Sequence, residues 1–194
     1  RLQIQMFLLR LFDLIISITL LIFLFPLILI ISFCVFVSDG FPILFFSKRI
    51  GLNKKFFLMT KFRTMKNTKM NISDDKRLTE LGIFLRRTSL DELPQIFNVL
   101  NGDMSIVGPR PLPANIEKKI KSRKVKLLRS KVKPGITGLS QINYKGVKRS
   151  LTTKVSHDIS YVRNYSVYNY FIIILKTFTV LVKRYKYNIK GKSL

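Results

Sequence analysis

The chain has 194 residues and one cysteine, and 35 lysine and arginine residues against 10 acidic residues give a formal net charge of +25. This length suffices for one domain with its own core, and the lone Cys34 excludes an intrachain disulfide. Residues 1–40 carry two basic and two acidic side chains, so the positive excess lies in residues 41–194. Such an excess attracts polyanions, which include nucleic acid, anionic lipid headgroups and phosphorylated substrates.

The first predicted element is an uncharged segment at residues 14–37. As a helix it would reach about 36 Å, against a hydrocarbon core of about 30 Å. Pro26 near its middle predicts a bend, because proline lacks a backbone donor and clashes with the preceding turn. Basic residues flank the segment on both sides, so the positive-inside rule gives no orientation. Two interpretations stay open: a kinked spanning helix, and a re-entrant helix with both ends in the cytoplasm. Since the chain starts at Arg1 rather than methionine, we expect further residues upstream.

The next elements are a predicted β-hairpin and two short helices. Residues 42–65 hold two segments rich in aromatic and branched side chains, with a turn between them at Gly51-Leu52-Asn53. Residues 66–79 are polar and predict a loop. Apolar spacing predicts a helix at 80–87 and another that includes Leu93, Ile96, Phe97 and Leu100.

The rest of the chain alternates predicted helices with proline-containing turns. Residues 103–113 predict a short extended piece followed by a rigid loop. Residues 114–133 predict one very basic helix, which either lies on an anionic membrane or presents an ordinary solvated face. Residues 134–138 predict a turn, and two further helices are predicted at 151–165 and 168–186.

Asp91 and Glu92 form the acidic pair of greatest interest. Ser89, with Glu92 three residues later, has the spacing of a helix capping box, but Pro94 would then remove an intrahelical hydrogen bond. With Asp91 as the N-cap, Pro94 falls in the first turn, where its missing N–H costs little. The Asp91 carboxylate can then cap the helix or point outward for chemistry, and both interpretations stay open.

The surroundings of this pair favour phosphoryl chemistry. A carboxylate can attack a phosphoryl centre, a neighbouring carboxylate can bind Mg²⁺, and the charge of a diphosphate must be neutralised. Arg110 lies between Pro109 and Pro111, so its backbone is restrained and its guanidinium suits a bidentate phosphate contact. The basic candidates for this task lie on nearby segments: Lys61, Arg63, Arg86, Arg87 and Arg110.

Three blocks in this order resemble the bacterial sugar transferase family, the monotopic phosphoglycosyl transferases that start glycan assembly on undecaprenyl phosphate. The blocks read KFRTM at 61–65, TSLDELPQIFNVLNGDMSIVGPRP at 88–111 and VKPGITGLSQ at 132–141. An LFDL segment at 11–14 and the central proline extend the resemblance to nearly the whole chain. One departure is Phe25, which stands where family members often carry serine before the membrane proline.

The resemblance implies a fold and a reaction. The fold would be an α/β, mostly helical, membrane-associated domain with a small β-hairpin. A re-entrant membrane helix broken at Pro26 (1–40) would precede a catalytic domain (41–194) on the cytoplasmic face of the bacterial inner membrane. A sugar-1-phosphate would pass from a UDP-sugar to undecaprenyl or another polyprenyl phosphate, with release of UMP, through a phosphosugar–aspartyl intermediate on Asp91. This would be the first membrane step of polysaccharide, O-antigen, capsule or glycoprotein glycan assembly.

The resemblance also implies roles for particular residues. Glu92 would hold Mg²⁺ together with Asp91. The five basic candidates would bind phosphates or the nucleotide. Asp158 and Tyr161 match the family's D-x-x-Y motif, so Asp158 would touch metal or substrate, or else make a structural hydrogen bond. We expect anionic lipids as partners and no nucleic acid, and a homo-oligomer stays open.

Two other functions compete with this interpretation. The charge of +25 would suit a nucleic-acid-binding membrane protein, but no RNA-binding motif is visible and such a function does not need an acidic pair. An inactive scaffold of the same fold is the other alternative. Loss of UMP release on changing Asp91 would separate an enzyme from a scaffold.

Overall fold

The computed structural model describes residues 2–66, 77–143 and 150–189. The fold is mostly helical, with two small sheets and a long apolar helix at the N-terminus. The helices are α1 (Leu2–Asp39), α2 (Glu80–Thr88), α3 (Gln95–Asn101), α4 (Ala114–Lys118), α5 (Arg123–Arg129), α6 (Leu139–Ile142), α7 (Leu151–Arg163) and α8 (Val167–Ile189). The strands are β1 (Leu44–Ile50), β2 (Phe56–Phe62), β3 (Ser105–Val107) and β4 (Gly135–Thr137).

Helix α1 dominates the N-terminal region. Its 38 residues would extend about 57 Å if straight. Among the described residues it is the one helix long and apolar enough to cross a membrane. The helix is assigned without interruption through Pro26, so the predicted break is not confirmed.

Both halves of α1 pack against the same body. Leu9, in the first half, is fully buried in a core that β3, α7 and α8 also build. Ile31 and Val35, in the second half, pack in a separate cluster with Phe62 of β2 and Leu85 of α2. Between and around these contacts, much of the helix surface consists of exposed apolar side chains.

Polar contacts fix α1 near both of its ends. The Arg10 guanidinium donates to the carbonyls of Val99 and Leu100, at the C-terminal end of α3. At the other end, the Arg63 guanidinium donates to the backbone carbonyls of residues 39, 40 and 41, where α1 ends. Carbonyls at a helix C-terminus lack intrahelical partners and carry partial negative charge, so a guanidinium suits both places.

Asp13 connects α1 with distant parts of the chain. One of its carboxylate oxygens accepts hydrogen bonds from the Ser105 hydroxyl at 2.9 Å, the Ile106 amide at 2.8 Å and the Tyr170 hydroxyl at 2.8 Å. Asp13 itself is 2% exposed. The first helix, the third strand and the last helix therefore meet at one buried carboxylate.

The predicted hairpin is confirmed. Strands β1 and β2 pair antiparallel, with Leu44 opposite Phe62 and Ile50 opposite Phe56. The outer edge of β2 is closed by Asn98 of α3, whose side-chain amide accepts from the Thr60 amide at 2.9 Å and donates to the Leu58 carbonyl at 2.7 Å. This side chain satisfies backbone groups that an edge strand would otherwise leave unpaired.

The second sheet corrects one prediction. Residues 134–138, predicted as a turn, contain β4, which pairs in parallel with β3. The two backbones approach so closely that a Cβ added to Gly135 would lie 2.0 Å from the Gly108 amide nitrogen. Glycine here permits strand pairing rather than a tight turn.

The basic region also differs from the prediction. Instead of one helix over 114–133, the structure has the short helices α4 and α5. The second helix has its own N-cap, because the Ser122 hydroxyl accepts from the Val125 amide at 3.3 Å. The other predicted helices are confirmed as α2, α3, α7 and α8. Most of the predicted polar loop, at 67–76, lies outside the described residues.

Candidate active site

A cleft of about 660 Å³ lies between the hairpin, α2 and the segment around Arg110. Its walls carry seven basic side chains and two acidic ones in the part of the chain that the structure describes. The basic residues are Arg49, Lys61, Arg63, Lys66, Arg77, Arg86 and Arg110, and the acidic ones are Asp91 and Glu92. This composition suits a ligand that carries several negative charges.

The acidic pair occupies a short 3₁₀ turn, Leu90–Glu92, between α2 and α3. Ser89 precedes the turn in the left-handed region, at φ +62°, which is uncommon for a residue other than glycine. Ser89 makes no side-chain capping bond to this turn. The N-terminus of α3 also lacks a side-chain cap, since Pro94 occupies that position. The Asp91 carboxylate therefore does not cap α3, which leaves it available to the cleft.

Lys61 bridges the two carboxylates. Its Nζ lies 3.4 Å from Asp91 Oδ2 and 2.6 Å from Glu92 Oε1. Glu92 also accepts from Arg110 Nη2 at 3.0 Å, whereas Asp91 makes the longer of the two contacts to Lys61. Glu92 is thus held by two cations, and Asp91 is the less strongly bound member of the pair.

The environment moves the pKa values of the two carboxyl groups in opposite directions. Burial is the largest effect on Asp91 and raises its pKa, with Lys61 opposing and the Glu92 charge adding to the rise. Burial also acts to raise the pKa of Glu92, but Arg110 and Lys61 together outweigh it, so that pKa is lowered. Shifted pKa values of adjacent carboxyl groups in a cleft are typical of catalytic sites.

The hairpin register explains which side chains face the cleft. Phe45, Ser47 and Arg49 alternate along β1 on the face that Lys61 shares, and all of them line the cleft. Arg49 was not among the residues predicted from the sequence to bind substrate. The sequence could have indicated it, because a turn centred on Asn53 places Arg49 and Lys61 on the same face of the hairpin.

The other predicted basic residues have different positions. Arg86 lines the cleft, and its Nε donates to the Thr64 hydroxyl at 2.9 Å. That contact depends on Gly82, where an added Cβ would lie 2.1 Å from the Thr64 carbonyl oxygen. Arg87 is exposed on α2 and is absent from the cleft residues that the structure describes. Arg63 lies in the cleft wall but is 6% exposed, and its guanidinium binds the carbonyls that end α1.

Asp158 is placed behind the cleft rather than in it. It is 3% exposed and accepts from Arg129 Nε at 2.8 Å. Arg129 also lies 3.8 Å from Glu117 and donates to the backbone carbonyl of Arg110. The sequence left two roles open for Asp158, a contact with metal or substrate and a structural hydrogen bond. The contact observed is the structural hydrogen bond. Arg129, which the sequence analysis passed over, links this buried cluster to a residue of the cleft.

Comparison with known proteins now gives the family. The family model described as bacterial sugar transferase matches residues 4–184. The chain belongs to the bacterial sugar transferase family. The match includes every residue of the cleft discussed above, from β1 to Arg110.

Three relatives in the family illustrate the similarity. The UDP-glucose:undecaprenyl-phosphate glucose-1-phosphate transferase of Klebsiella pneumoniae is 40% identical over 192 residues, which cover 92% of this chain and 41% of the relative. The exopolysaccharide production protein ExoY of Sinorhizobium fredii is 39% identical, with 87% of this chain and 82% of the relative covered. The undecaprenyl-phosphate galactose phosphotransferase of Salmonella typhimurium is 36% identical, with 92% and 41% covered. The chain thus spans about two fifths of the length of the first and third relatives.

The side chains of the site restrict how it could hold a metal ion. Within the described ranges, no group of three or more His, Cys, Asp or Glu side chains could hold a metal. Asp91 and Glu92 offer two carboxylates on the cleft wall. Two carboxylates fit Mg²⁺ in the mode where substrate phosphates and water supply the remaining ligands. This donor set therefore fits Mg²⁺ bound together with a phosphorylated substrate.

Proposed function

We propose that the chain transfers a sugar-1-phosphate from a UDP-sugar to a polyprenyl phosphate, with undecaprenyl phosphate as the expected acceptor, and releases UMP. The observation that carries the proposal is a loosely held carboxylate, Asp91, in the wall of a strongly basic cleft. The names of the similar proteins point to the same substrates. The reaction would be the first membrane step in the assembly of a polysaccharide or another glycan, as the name of the ExoY relative also suggests.

The first half-reaction would form a covalent intermediate. One carboxylate oxygen of Asp91 attacks the β-phosphorus of the UDP-sugar, and a bond forms between them. The bond from the β-phosphorus to the bridging oxygen breaks, and UMP leaves with that oxygen and its electron pair. The sugar–oxygen bond stays intact throughout. Asp91 must be ionised for this step, and the adjacent Lys61 favours the ionised form.

The second half-reaction would regenerate the carboxylate. An oxygen of the polyprenyl phosphate attacks the phosphorus held on Asp91, and the bond from phosphorus to the carboxylate oxygen breaks. The product is a polyprenyl diphosphate linked to the sugar. A phosphate monoester is already an anionic nucleophile, so neither half-reaction needs a separate general base. This fits a cleft whose described walls contain no histidine.

The basic side chains would stabilise the charge that the reaction moves. Lys61 lies against Asp91 and would contact the transferred phosphoryl group. Arg49 and Arg110, at the same end of the cleft, would bind the remaining phosphate of the nucleotide. Glu92, with Asp91, would hold Mg²⁺, which neutralises diphosphate charge when bound.

The membrane arrangement that we propose for α1 is re-entrant, with the catalytic part on the cytoplasmic face of the inner membrane. The support comes from Arg10 and Arg63, which attach opposite ends of α1 to one body. Twenty-nine residues separate Arg10 from Asp39, which is about 44 Å along a straight helix. A helix that crossed a hydrocarbon core of about 30 Å would place these attachments on opposite sides of the bilayer.

Labelling of single cysteines tests this arrangement. Cys34 would be replaced by alanine, and Gln3→Cys and Lys55→Cys would be introduced separately. A membrane-impermeant thiol reagent added to intact cells should label neither variant, and both should react after the membrane is opened. Labelling of one variant alone in intact cells would contradict the re-entrant proposal and support a spanning helix.

UMP release tests the reaction itself. Purified protein in anionic liposomes would receive Mg²⁺, undecaprenyl phosphate and one UDP-sugar at a time from a panel. We expect UMP from one or two sugars, a fall of roughly 10³-fold or more in Asp91→Asn, and little change in Asp103→Asn, an acid outside the cleft. EDTA should abolish the release if Mg²⁺ is bound as proposed. No UMP from any sugar would contradict the proposal and favour a scaffold.

A further inference from the structure

Phe45 is an exposed aromatic side chain in the wall of a basic cleft. It is 54% exposed and lines the cleft beside Pro42 and Leu44. Charged and polar groups make up most of the remaining wall, so the phosphate-binding task does not account for this apolar surface. An exposed aromatic ring next to reactive groups is a surface on which an apolar part of a ligand can pack.

The hairpin register brings Phe45 close to the candidate nucleophile. Phe45 lies directly opposite Lys61 in the pairing of β1 with β2. Opposed side chains on one face of an antiparallel pair have Cβ atoms about 4.5–5.5 Å apart. Lys61 in turn contacts Asp91. Phe45 is therefore separated from the candidate nucleophile by a single side chain.

The apolar end of the cleft also adjoins α1. The cleft residue Arg63 donates to the backbone carbonyls of residues 39, 40 and 41, so one end of the cleft lies where α1 ends. Arg49 and Arg110 also border a smaller cavity of about 110 Å³, which Pro42 and Phe45 do not line. Pro42 and Phe45 thus add apolar surface to the end of the basic cleft that is nearer to α1.

We infer that Phe45 forms the subsite for the first isoprene units of the polyprenyl phosphate acceptor, an inference that rests on the proposed function. The acceptor phosphate must reach the phosphorus on Asp91 while its hydrocarbon chain runs to the membrane. Beside Lys61, the wall that continues toward α1 is the one that carries Phe45. When an isoprene unit packs on this ring, one side of the unit is removed from water, which stabilises acceptor binding. The nucleotide phosphate lies at the opposite end, beside Arg49 and Arg110.

Phe46 supplies a matched control. It follows Phe45 directly in β1 and is 55% exposed, but successive side chains of a strand point to opposite faces. Phe46 is accordingly absent from the described residues that line the cleft. Removal of either ring costs the same exposed apolar surface on the same hairpin, so a general effect on folding or membrane affinity should appear in both variants.

The experiment measures the two half-reactions separately. Exchange of labelled UMP into the UDP-sugar, without lipid, reports the first half-reaction alone. In Phe45→Ala we expect exchange within about twofold of wild type and a rise of about 10-fold or more in the KM for the acceptor. Phe45→Leu, which keeps an apolar side chain, should recover most of that rise. Phe46→Ala should change neither quantity.

A short acceptor distinguishes the subsite from membrane binding. Geranyl phosphate has only two isoprene units, and the assay with it contains no liposomes. The rise in KM for Phe45→Ala should be the same with geranyl phosphate as with undecaprenyl phosphate, because the ring contacts the first units. A defect confined to the long acceptor would overturn the inference in favour of a membrane effect.

Other outcomes would also overturn the inference. A loss of UMP exchange in Phe45→Ala as large as the loss of overall turnover would place the ring at the UDP-sugar. Equal effects of Phe45→Ala and Phe46→Ala would mean that the cleft position is irrelevant. Absence of exchange in the wild-type protein would instead contradict the covalent intermediate of the proposed function, so the two failures are distinguishable.

Discussion

Lys61 and Arg129 each lie between two carboxylates, but one cluster opens onto a cleft and the other is sealed. Lys61 contacts Asp91 and Glu92 in the wall of a space of about 660 Å³. Arg129 and its two acids, Glu117 and Asp158, are all buried. The cavity that Glu117 and Arg129 border has a volume of about 10 Å³. The same arrangement of charges therefore lines the proposed reactive site in one place and forms a buried structural contact in the other.

The two clusters differ in the volume of the cavity beside them and not in their pattern of charges. Both clusters join segments far apart in the sequence, at 30 residues for Lys61 with Asp91 and 29 for Arg129 with Asp158. Only the first has room for a diphosphate and a sugar. The second binds the backbone of Arg110 and so supports the first from behind.

The largest effect that would test this difference is on stability, in Arg129→Met. Two buried carboxylates would lose their shared cation, and breaking a buried pair typically costs about 3–5 kcal/mol of unfolding free energy. Burial already raises the pKa of Asp158, and Arg129 opposes the rise. Removal of Arg129 raises that pKa further, so the lost stability should return as the pH falls. Denaturant unfolding at several pH values measures this. A loss that grew as the pH fell would contradict the assignment.

The corresponding change in the open cluster, Lys61→Met, should act mainly on the reaction. Glu92 keeps its contact with Arg110, and Asp91, although buried, borders the open cleft, so we expect a smaller loss of unfolding free energy than in Arg129→Met. UMP release should fall about 10²-fold, since the cation beside the transferred phosphoryl group is gone. Equal losses of stability in Lys61→Met and Arg129→Met would remove the distinction between the clusters.

The pH dependence gives the smallest and finest test. Burial raises the pKa of Asp91 above its usual value, and Lys61 opposes the rise. Only the ionised carboxylate attacks phosphorus, so kcat/KM for UMP release should fall as the pH drops through this raised pKa. Lys61→Met removes the charge that opposes the rise of the Asp91 pKa. The pH at which kcat/KM falls should therefore be higher in Lys61→Met than in the wild type. If kcat/KM falls at the same pH in both proteins, another group controls the pH dependence.

The sequence predicted local elements well where apolar periodicity determines them. The hairpin and the helices around Leu85 and Ile96 follow from side-chain spacing, and they set the positions of Lys61 and Asp91. The strand at Gly135–Thr137 was missed because its pairing with Ser105–Val107 is parallel and formed by residues distant in the chain. A three-residue strand rich in small residues carries no periodic signal of its own.

Side-chain partners were harder to predict than positions. Lys61 lies near the end of β2 and Arg63 directly follows that strand. Nothing in their spacing tells a phosphate ligand from a helix cap. Arg63 is engaged by the carbonyls that end α1, and those become its neighbours only once the helix has docked. Asp158 likewise matches a family motif, yet its partner Arg129 lies in a segment that appeared to be a uniformly solvated or membrane-bound basic helix.

The contacts of Asp13 imply an order of events during synthesis of the chain. Its partner Tyr170 follows Asp13 by 157 residues in the chain, so the ribosome makes it later. At synthesis rates of about 5–20 residues per second, the wait is roughly 8–30 seconds. Helix α1 is therefore complete before the Tyr170 hydroxyl that bonds its buried acid has been made. The packing around Asp13 is finished only when α8 reaches α1.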